Sequence, residues 1–454
     1  MMDLHNSKAF TRRTFLHQGL TLASATLTVP AFLSTSSLVL AQAARAAGGG
    51  TSQGGVAQER VLVVVQLAGG NDGLNMVVPY GDAAYYRARP GIAIPAGAAL
   101  KLPTAGKGDG FGLHPRMAGI KSLYDEGLVG VLLGVGYPNP NRSHFKSMDI
   151  WHTADTTGTG DGWIGRYFDN QCAGRPVGSG GSGGCGGHAC ISIGREAPLA
   201  TQGRRSKSIA FESPDLFQWT GAREDEAAAR AYEVLTRGGA GGAVQGATMP
   251  GGGSAGETSH EFLTRTALDA QIASDRIRSA VSRGTGRAYP QSPLGRQLAM
   301  VGAMIGAGLE TRVYYVSLGG FDTHAGQGGA NGTHANLMNQ FADAIKAFYD
   351  DLKAQGNDGR VMTMSFSEFG RRVGQNGSGG TDHGTAAPMM VFGPMVRAGI
   401  WGQQPSLTDL DEGDLKHTLD FRSVYAGVLG GWLKAEPKKV LGMDYREAMV
   451  VKKG

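Results

Sequence analysis

The sequence predicts an α/β protein with a mixed, mostly parallel central sheet and helices on both of its faces. Apolar runs at Val61 to Leu67, Val129 to Val135 and Arg312 to Leu318, and a fourth after Arg360, are rich in β-branched residues and lack polar alternation. That is the pattern of strands buried on both sides. Stretches with apolar residues every three or four positions alternate with them, at 114–127, 293–309 and 334–355, as crossover helices require. Each run also ends in glycines and polar side chains, at Asp72, Ser143, Asp322 and Glu368. One such ending is ordinary; four in one chain argue for a shared edge where a site can form.

At 454 residues, the chain is long for a single core, and 58–450 is read as one α/β domain with insertions. An apolar share of 41% against 18% charged residues excludes a disordered chain. The 74 glycines exceed the usual share and point to many loops and to two low-complexity inserts, 178–190 and 238–256. The formal charge is +5, near +2 without residues 1–46, and no basic stripe with interleaved aromatics is present. No nucleic-acid partner is expected.

The N-terminus carries an address. Thr11-Arg12-Arg13-Thr14-Phe15-Leu16 precedes a mildly apolar stretch from Leu20 to Leu40, then Ala41-Gln42-Ala43 and Ala44-Arg45-Ala46, which suit cleavage after small residues. Residues 1–46 read as a twin-arginine export signal, and the expected location is periplasmic or secreted. Pro30 and the many Ser and Thr residues make the run weak for a membrane span of about twenty residues, so no stable span is expected after signal removal. That route carries folded proteins, often with a metal seated, which raises the expectation of a metal site.

Beyond the signal, Val61 to Leu67 leads into Gly69-Gly70-Asn71-Asp72-Gly73-Leu74-Asn75, where glycines permit a sharp turn and place Asp72 past a strand's carboxyl end. Met117, Ile120, Leu123 and Tyr124 give 114–127 a helical face. The run from Val129 opens into Asn139-Pro140-Asn141-Arg142-Ser143-His144-Phe145. There Ser143 offers a nucleophile or phosphate-binding hydroxyl, His144 a proton donor and Arg142 an anion contact. Residues 160–169 read as a loop entering a helix. Cys172, Cys185 and Cys190 flank a Gly/Ser tract; a disulfide, Cys185 to Cys190 by loop length, is favoured over a metal clip with His188. A helical region with Phe262, Leu268, Ile272 and Ile277 as its buried face reads as cover.

The run to Leu318 ends in Gly319-Gly320-Phe321-Asp322-Thr323-His324. An Asp and a His two positions apart at a strand's end are placed to reach one divalent ion: oxygen and imidazole ligands suit Zn, Mn or Fe, and a set richer in carboxylates suits Ca or Mg. A long helix follows with Leu337, Phe341, Ile345, Phe348 and Leu352 on one face. The next run delivers Ser367-Glu368-Phe369-Gly370-Arg371-Arg372, and a glycine loop brings Thr381-Asp382-His383-Gly384 before the strand-like Ala387 to Phe392. A helix from Asp420 to Leu433 closes the fold.

Taken together, the twin-arginine start, Gln66 to Asn75, Asn141 to Phe145, Gly319 to His324 and Ser367 to Gly384 resemble the bacterial family catalogued as domain of unknown function 1501. That family resembles, distantly, the alkaline phosphatase and sulfatase superfamily, which implies an alkaline-phosphatase-like sheet with metal-binding Asp and His residues and a nucleophile at its carboxyl edge. By this resemblance Asp72 matches the first metal Asp, Ser143 the nucleophile region, Asp322 and His324 the next metal pair, and His383 the last metal His. Ser367-Glu368-Phe369-Gly370 matches that superfamily's Ser-Asp-His-Gly, or Thr381-Asp382-His383-Gly384 does so instead. Phe369 stands where the motif has an imidazole, which implies one ion or none in place of two.

The reading is metal-assisted hydrolysis of a phosphate or sulfate ester, small or polymeric, with Asp72, Asp322, His324, Glu368, Asp382 and His383 as candidate ligands. Ser143 attacks or orients the ester, with His144 beside it, and Arg142 or Arg371 neutralises its charge. The alternative is an exported binding or assembly protein that keeps the scaffold without the chemistry. Acyl transfer ranks last, because no Gly-x-Ser-x-Gly elbow surrounds Ser143.

Overall fold

The computed structural model describes residues 60–103, 110–171, 189–206, 208–214 and 274–452. The export stretch 1–46, residues 178–188 of the first insert, the whole 238–256 insert, Cys172, Cys185, and the expected helix face at Phe262, Leu268 and Ile272 lie outside these residues. Cys190 is buried in a strand, and burial pushes its thiol pKa up.

In chain order the strands are β1 (Val61–Leu67), β2 (Val77–Val78), β3 (Leu100–Lys101), β4 (Gly112–Leu113), β5 (Val129–Gly136), β6 (Cys190–Ile193) and β7 (Ile209–Phe211). Then come β8 (Val313–Leu318), β9 (Val361–Phe366), β10 (Ala387–Phe392), β11 (Gly399–Trp401) and β12 (Leu419–Asp420). The main sheet runs β11-β5-β10-β9-β1-β8-β6-β7 with β12 beside β5, and β2, β4 and β3 form a small separate sheet. Every neighbouring pair in the main sheet is parallel except β10 with β5 and β10 with β9. The expected mixed, mostly parallel sheet is present, with β10 as the one reversed strand among the described residues.

That reversal matters for the site. The carboxyl ends of β1, β5, β8 and β9 and the amino end of β10 all lie at one edge of the sheet. The loops after the parallel strands and the loop entering β10 therefore meet there, which is where open α/β sheets bind ligands.

Alternation along β1 divides the core. Val61, Val63, Val65 and Leu67 join the apolar cluster on one face, while Leu62 and Val64 join the cluster on the other. The first face is covered by α1 (Ala118–Asp125), α4 (Pro293–Gly306) and α5 (Thr333–Gln355), and the second by α2 (His144–Thr153), α3 (Trp163–Gln171) and α6 (Phe421–Gly427). In α5 the expected face, Leu337, Phe341, Ile345, Phe348 and Leu352, is buried, and Gly356 ends the helix in the left-handed region at φ +69°. Helix α1 starts later than the sequence suggests, because His114 turns inward and its Nδ1 accepts the Arg116 N–H at 3.1 Å. Helix α6 begins with Asp420 accepting the Arg422 N–H and continues as a π-helical turn, Val428–Leu433. No helix among the described residues is long and apolar enough to cross a membrane.

The strand ends at the site edge are in close contact. Gly69 has φ +118°, and a Cβ built there would sit 2.5 Å from the Asp322 backbone nitrogen. Gly127, in contrast, has φ +73° with nothing within 4 Å of an added Cβ. Gly127→Ala is expected to lose about 1–2 kcal/mol of stability, the cost of a left-handed L-residue alone. Gly69→Ala is expected to lose more and to shift the loop carrying Asp322; urea midpoints of the two variants check the order.

Candidate metal centre

Side chains lock the loops at this edge before any metal-ligating group is considered. Ser367, just after β9, donates to the Leu67 carbonyl at 2.6 Å and accepts the Asn71 N–H at 2.8 Å. Glu368 Oε1 accepts the Gly69 N–H at 2.8 Å. Arg371 is fully buried. Its guanidinium donates to the carbonyls of Gly70 (2.6 Å), Thr381 (2.9 Å) and Phe321 (3.0 Å), to that of Gly69, and to Asp322 Oδ1 at 2.7 Å.

Around Asp322 Oδ1 stand three imidazoles. The Nε2 atoms of His383, His324 and His144 lie 3.0, 3.1 and 3.5 Å from it, and those of His324 and His383 are 2.9 Å apart. One atom each from His144, Asp322 and His383 falls within 4.8 Å of the others, the spacing of a metal-ligand group.

The far nitrogen of each ring is bonded to an acceptor. His144 Nδ1 is 2.8 Å from Glu368 Oε1, His383 Nδ1 is 2.9 Å from the Arg142 carbonyl, and His324 Nδ1 is 3.1 Å from Asp382 Oδ1. A carbonyl accepts, and a carboxylate does so when ionised, so these contacts favour the proton at each Nδ1, and a ring in that neutral tautomer turns a lone pair at Nε2 toward Asp322. Lone pairs facing a carboxylate oxygen repel unless a cation or proton lies among them. His144 Nε2 is buried and has no hydrogen-bond partner. This donor set fits a divalent ion.

Electrostatics keep the centre anionic. Burial pushes the Asp322 carboxyl up, but the Arg371 hydrogen bond and charge, joined by a bond from His383 when that ring is protonated, outweigh it and hold the pKa at about 2. Burial pushes the His383 pKa down, more than its bonds to Asp322 and the Arg142 carbonyl raise it. Hydrogen bonds from Asn376 and His324 hold Asp382 low.

Of the residues expected to act here, Asp322, His324 and His383 come together, and His144, expected as a proton donor, joins them with its Nε2 turned toward Asp322. Asp72 does not. It is fully buried 2.6 Å from Arg89 Nη1, with Gln327 also donating to it. Burial raises its pKa, but Arg89 outweighs this and the net shift is downward. Glu368 and Asp382 back the imidazoles instead of facing the centre. Arg371 is buried beneath the site and offers no face to a substrate. The Arg142 guanidinium is held by Asp414 at 2.6 Å, and its carbonyl serves the site. Ser143 is exposed at the start of α2, its hydroxyl making no cap bond.

Phe369, at the position expected of an imidazole, packs its ring on His144 and His383 with centroids 4.9 and 4.7 Å away. Arg89 and Gln327 were not expected; neither lies in a motif or at a strand end that would single it out.

A buried polar layer lies behind the centre. His334 Nε2 is 3.0 Å from Asn71 Oδ1, and burial lowers its pKa from 6.5 to about 4, against the pull of Asp72. Beneath α2, burial likewise lowers His152 to about 4. Both are neutral when folded and take protons more readily when unfolded. Stability is therefore expected to fall as pH drops from about 6.5 to about 4, by up to about 1.4 kcal/mol per pH unit for each ring, and to level off below. Denaturant titrations at pH 7, 5.5 and 4.5 should show this slope, and His152→Asn should reduce it.

Compared with other proteins, residues 134–443 match the family model described as "Protein of unknown function (DUF1501)". No curated protein matches the chain. Among solved structures it is similar to Ps i-CgsB in complex with k-i-k-neocarrahexaose, with a TM-score of 0.35 and 11% identity over 85% of this chain and 74% of that one. It is also similar to the PsFucS1 sulfatase from Pseudoalteromonas sp., with a TM-score of 0.34 and 12% identity over 90% and 71%. The family match runs from the end of β5 past β12 and includes His144, Asp322, His324, Glu368 and His383. The chain belongs to the DUF1501 family.

Proposed function

We propose that this is an exported metal-dependent hydrolase of phosphate or sulfate esters, with its centre at His144, Asp322 and His383. The observation that carries the reading is the convergence of anchored imidazole Nε2 atoms on one carboxylate oxygen. His144, Asp322 and His383 would hold a divalent ion, which would supply Lewis-acid chemistry toward an ester oxygen. The twin-arginine start supports export to the periplasm or beyond.

The chain's own groups contribute orientation and exclusion of water. Glu368 holds the His144 ring so that its Nε2 faces the centre. Phe369 closes one side of the His144 and His383 rings and lines a neighbouring cavity of about 340 Å³, together with Tyr137, Arg142, Thr385, Lys416 and His417. That cavity is the place for the part of the ester that does not react. Ser143, exposed beside His144, is the hydroxyl available to attack or to orient the ester.

The second reading, an exported binding or assembly protein without catalysis, is favoured by one observation. Arg142, a cation lining the cavity, is already paired with Asp414. Purified mature protein should bind about one ion per chain, and Asp322→Ala or His383→Ala should abolish that uptake. Metal analysis followed by a screen of aryl phosphates and sulfates checks both points. Stoichiometric metal in either variant overturns the site, whereas metal without turnover favours the binder.

A further inference from the structure

The centre's donor chemistry specifies its ion more narrowly than the hydrolase reading on which this inference rests. We propose that the centre takes a single imidazole-preferring transition-metal ion of the zinc type, with His324 as a fourth donor beside His144, His383 and Asp322, and that it discriminates against calcium and magnesium.

Three features argue for this. Calcium takes about six to eight oxygen donors and magnesium a near-octahedral oxygen set rich in water. Here three of the four converging donors are ring nitrogens, and the acids that could make the site oxygen-rich are turned elsewhere. Asp72 faces Arg89, Glu368 backs His144 and Asp382 backs His324.

The spacing fits for His144, Asp322 and His383, and for His324 against two of them. Tetrahedral ligands about 2.0–2.1 Å from zinc stand roughly 3.3 Å from one another. The separations here are 2.9 Å between His324 and His383 Nε2, and 3.0, 3.1 and 3.5 Å from Asp322 Oδ1 to the three rings. The group in which every donor lies within 4.8 Å of every other is His144, Asp322 and His383, so His324 completes the set by drawing closer to His144 when the ion binds.

The count of one follows from Phe369. Its phenyl ring occupies the flank of His144 and His383, and the remaining acids near the edge are committed to Arg89, Gly69, His144 and Asn376. A second ion has no donors of its own among the described residues.

Each imidazole is oriented by a different kind of group: the Glu368 carboxylate, the Asp382 carboxylate and the Arg142 carbonyl. Such outer acceptors raise the basicity of the metal-facing nitrogen, and losing one typically weakens metal binding about 10- to 100-fold. Asp382 is exposed and its replacement leaves the buried layer intact, so it is the informative one to change.

The test titrates chelator-stripped full-length mature protein with cobalt(II) and reads visible absorption. One cobalt per chain with the intense band of tetrahedral coordination is expected, displaced by equimolar zinc and unmoved by a large excess of calcium or magnesium. His324→Ala should weaken cobalt binding about tenfold or more and alter the band. Asp382→Asn should weaken binding about tenfold with thermal melting unchanged. Two cobalt ions per chain, displacement by calcium or magnesium, or a His324→Ala variant with unchanged affinity and spectrum would overturn the proposal. The hydrolase reading fails separately: the metal behaviour would be as described, but no phosphate or sulfate ester would turn over.

Discussion

The arrangement depends on one buried cation, Arg371. Its guanidinium reaches carbonyls from the turn after β1, the loop after β8 and the loop before β10, and also Asp322. Carbonyls at the ends of strands have left the sheet ladder and lie too deep for water, so each needs a donor. Arginine supplies five in a fixed plane, and a lysine could not span them. Burying that charge is tolerable because Asp322 neutralises it and the carbonyls solvate it. The consequence is chemical: the loops bearing Asp322, His324 and His383 are held together by the protein itself, without help from a ligand.

Asp72 and Asp322 show how similar local sequence leads to different roles. Both follow a Gly-Gly pair at the end of a parallel strand. Asp72 is sealed against Arg89, and its other partner Gln327 accepts the hydroxyl protons of Thr323 (3.0 Å) and Thr381 (2.7 Å). Those two threonines adjoin His324 and Asp382. Asp72 thus acts on the centre at one remove, fixing the loops that carry imidazoles, while Asp322, half exposed, is the carboxylate left facing outward.

Much of this was legible in the sequence. The strands β1, β5, β8, β9 and β10 and the helix α5 announce themselves, because a two-sided strand or an amphipathic helix must carry its periodicity in its residues. The reversal of β10 and the short strands β6, β7, β11 and β12 do not, since two to six residues hold no directional signal. At the site, residue type and position at a strand end identified Asp322, His324 and His383 as neighbours. They could not say which acid would meet an arginine first, because Arg89 belongs to no motif. Nor could they show that Arg142 would serve through its carbonyl, since every residue has one. His144 was noticed as an acid, and only the bond from its Nδ1 to Glu368 shows that its other nitrogen faces inward.

Phe369 decides what kind of centre this can be. A histidine there would bring another nitrogen to the edge and with it the means to hold a second ion. A phenyl ring instead fills the space against His144 and His383, is itself almost completely buried, and forms part of the cavity wall. Two-ion centres share the charge of the attacking and leaving oxygens between their metals. On the proposed reading, with one donor set, with Arg371 beneath the floor, with Arg142 turned to Asp414 and Lys416 to Asp409, charge that builds on an ester would meet one bound ion. The hydroxyl of Ser143 would be the chain's own group beside it, in a pocket whose apolar wall at Phe369 keeps water from one side of the rings.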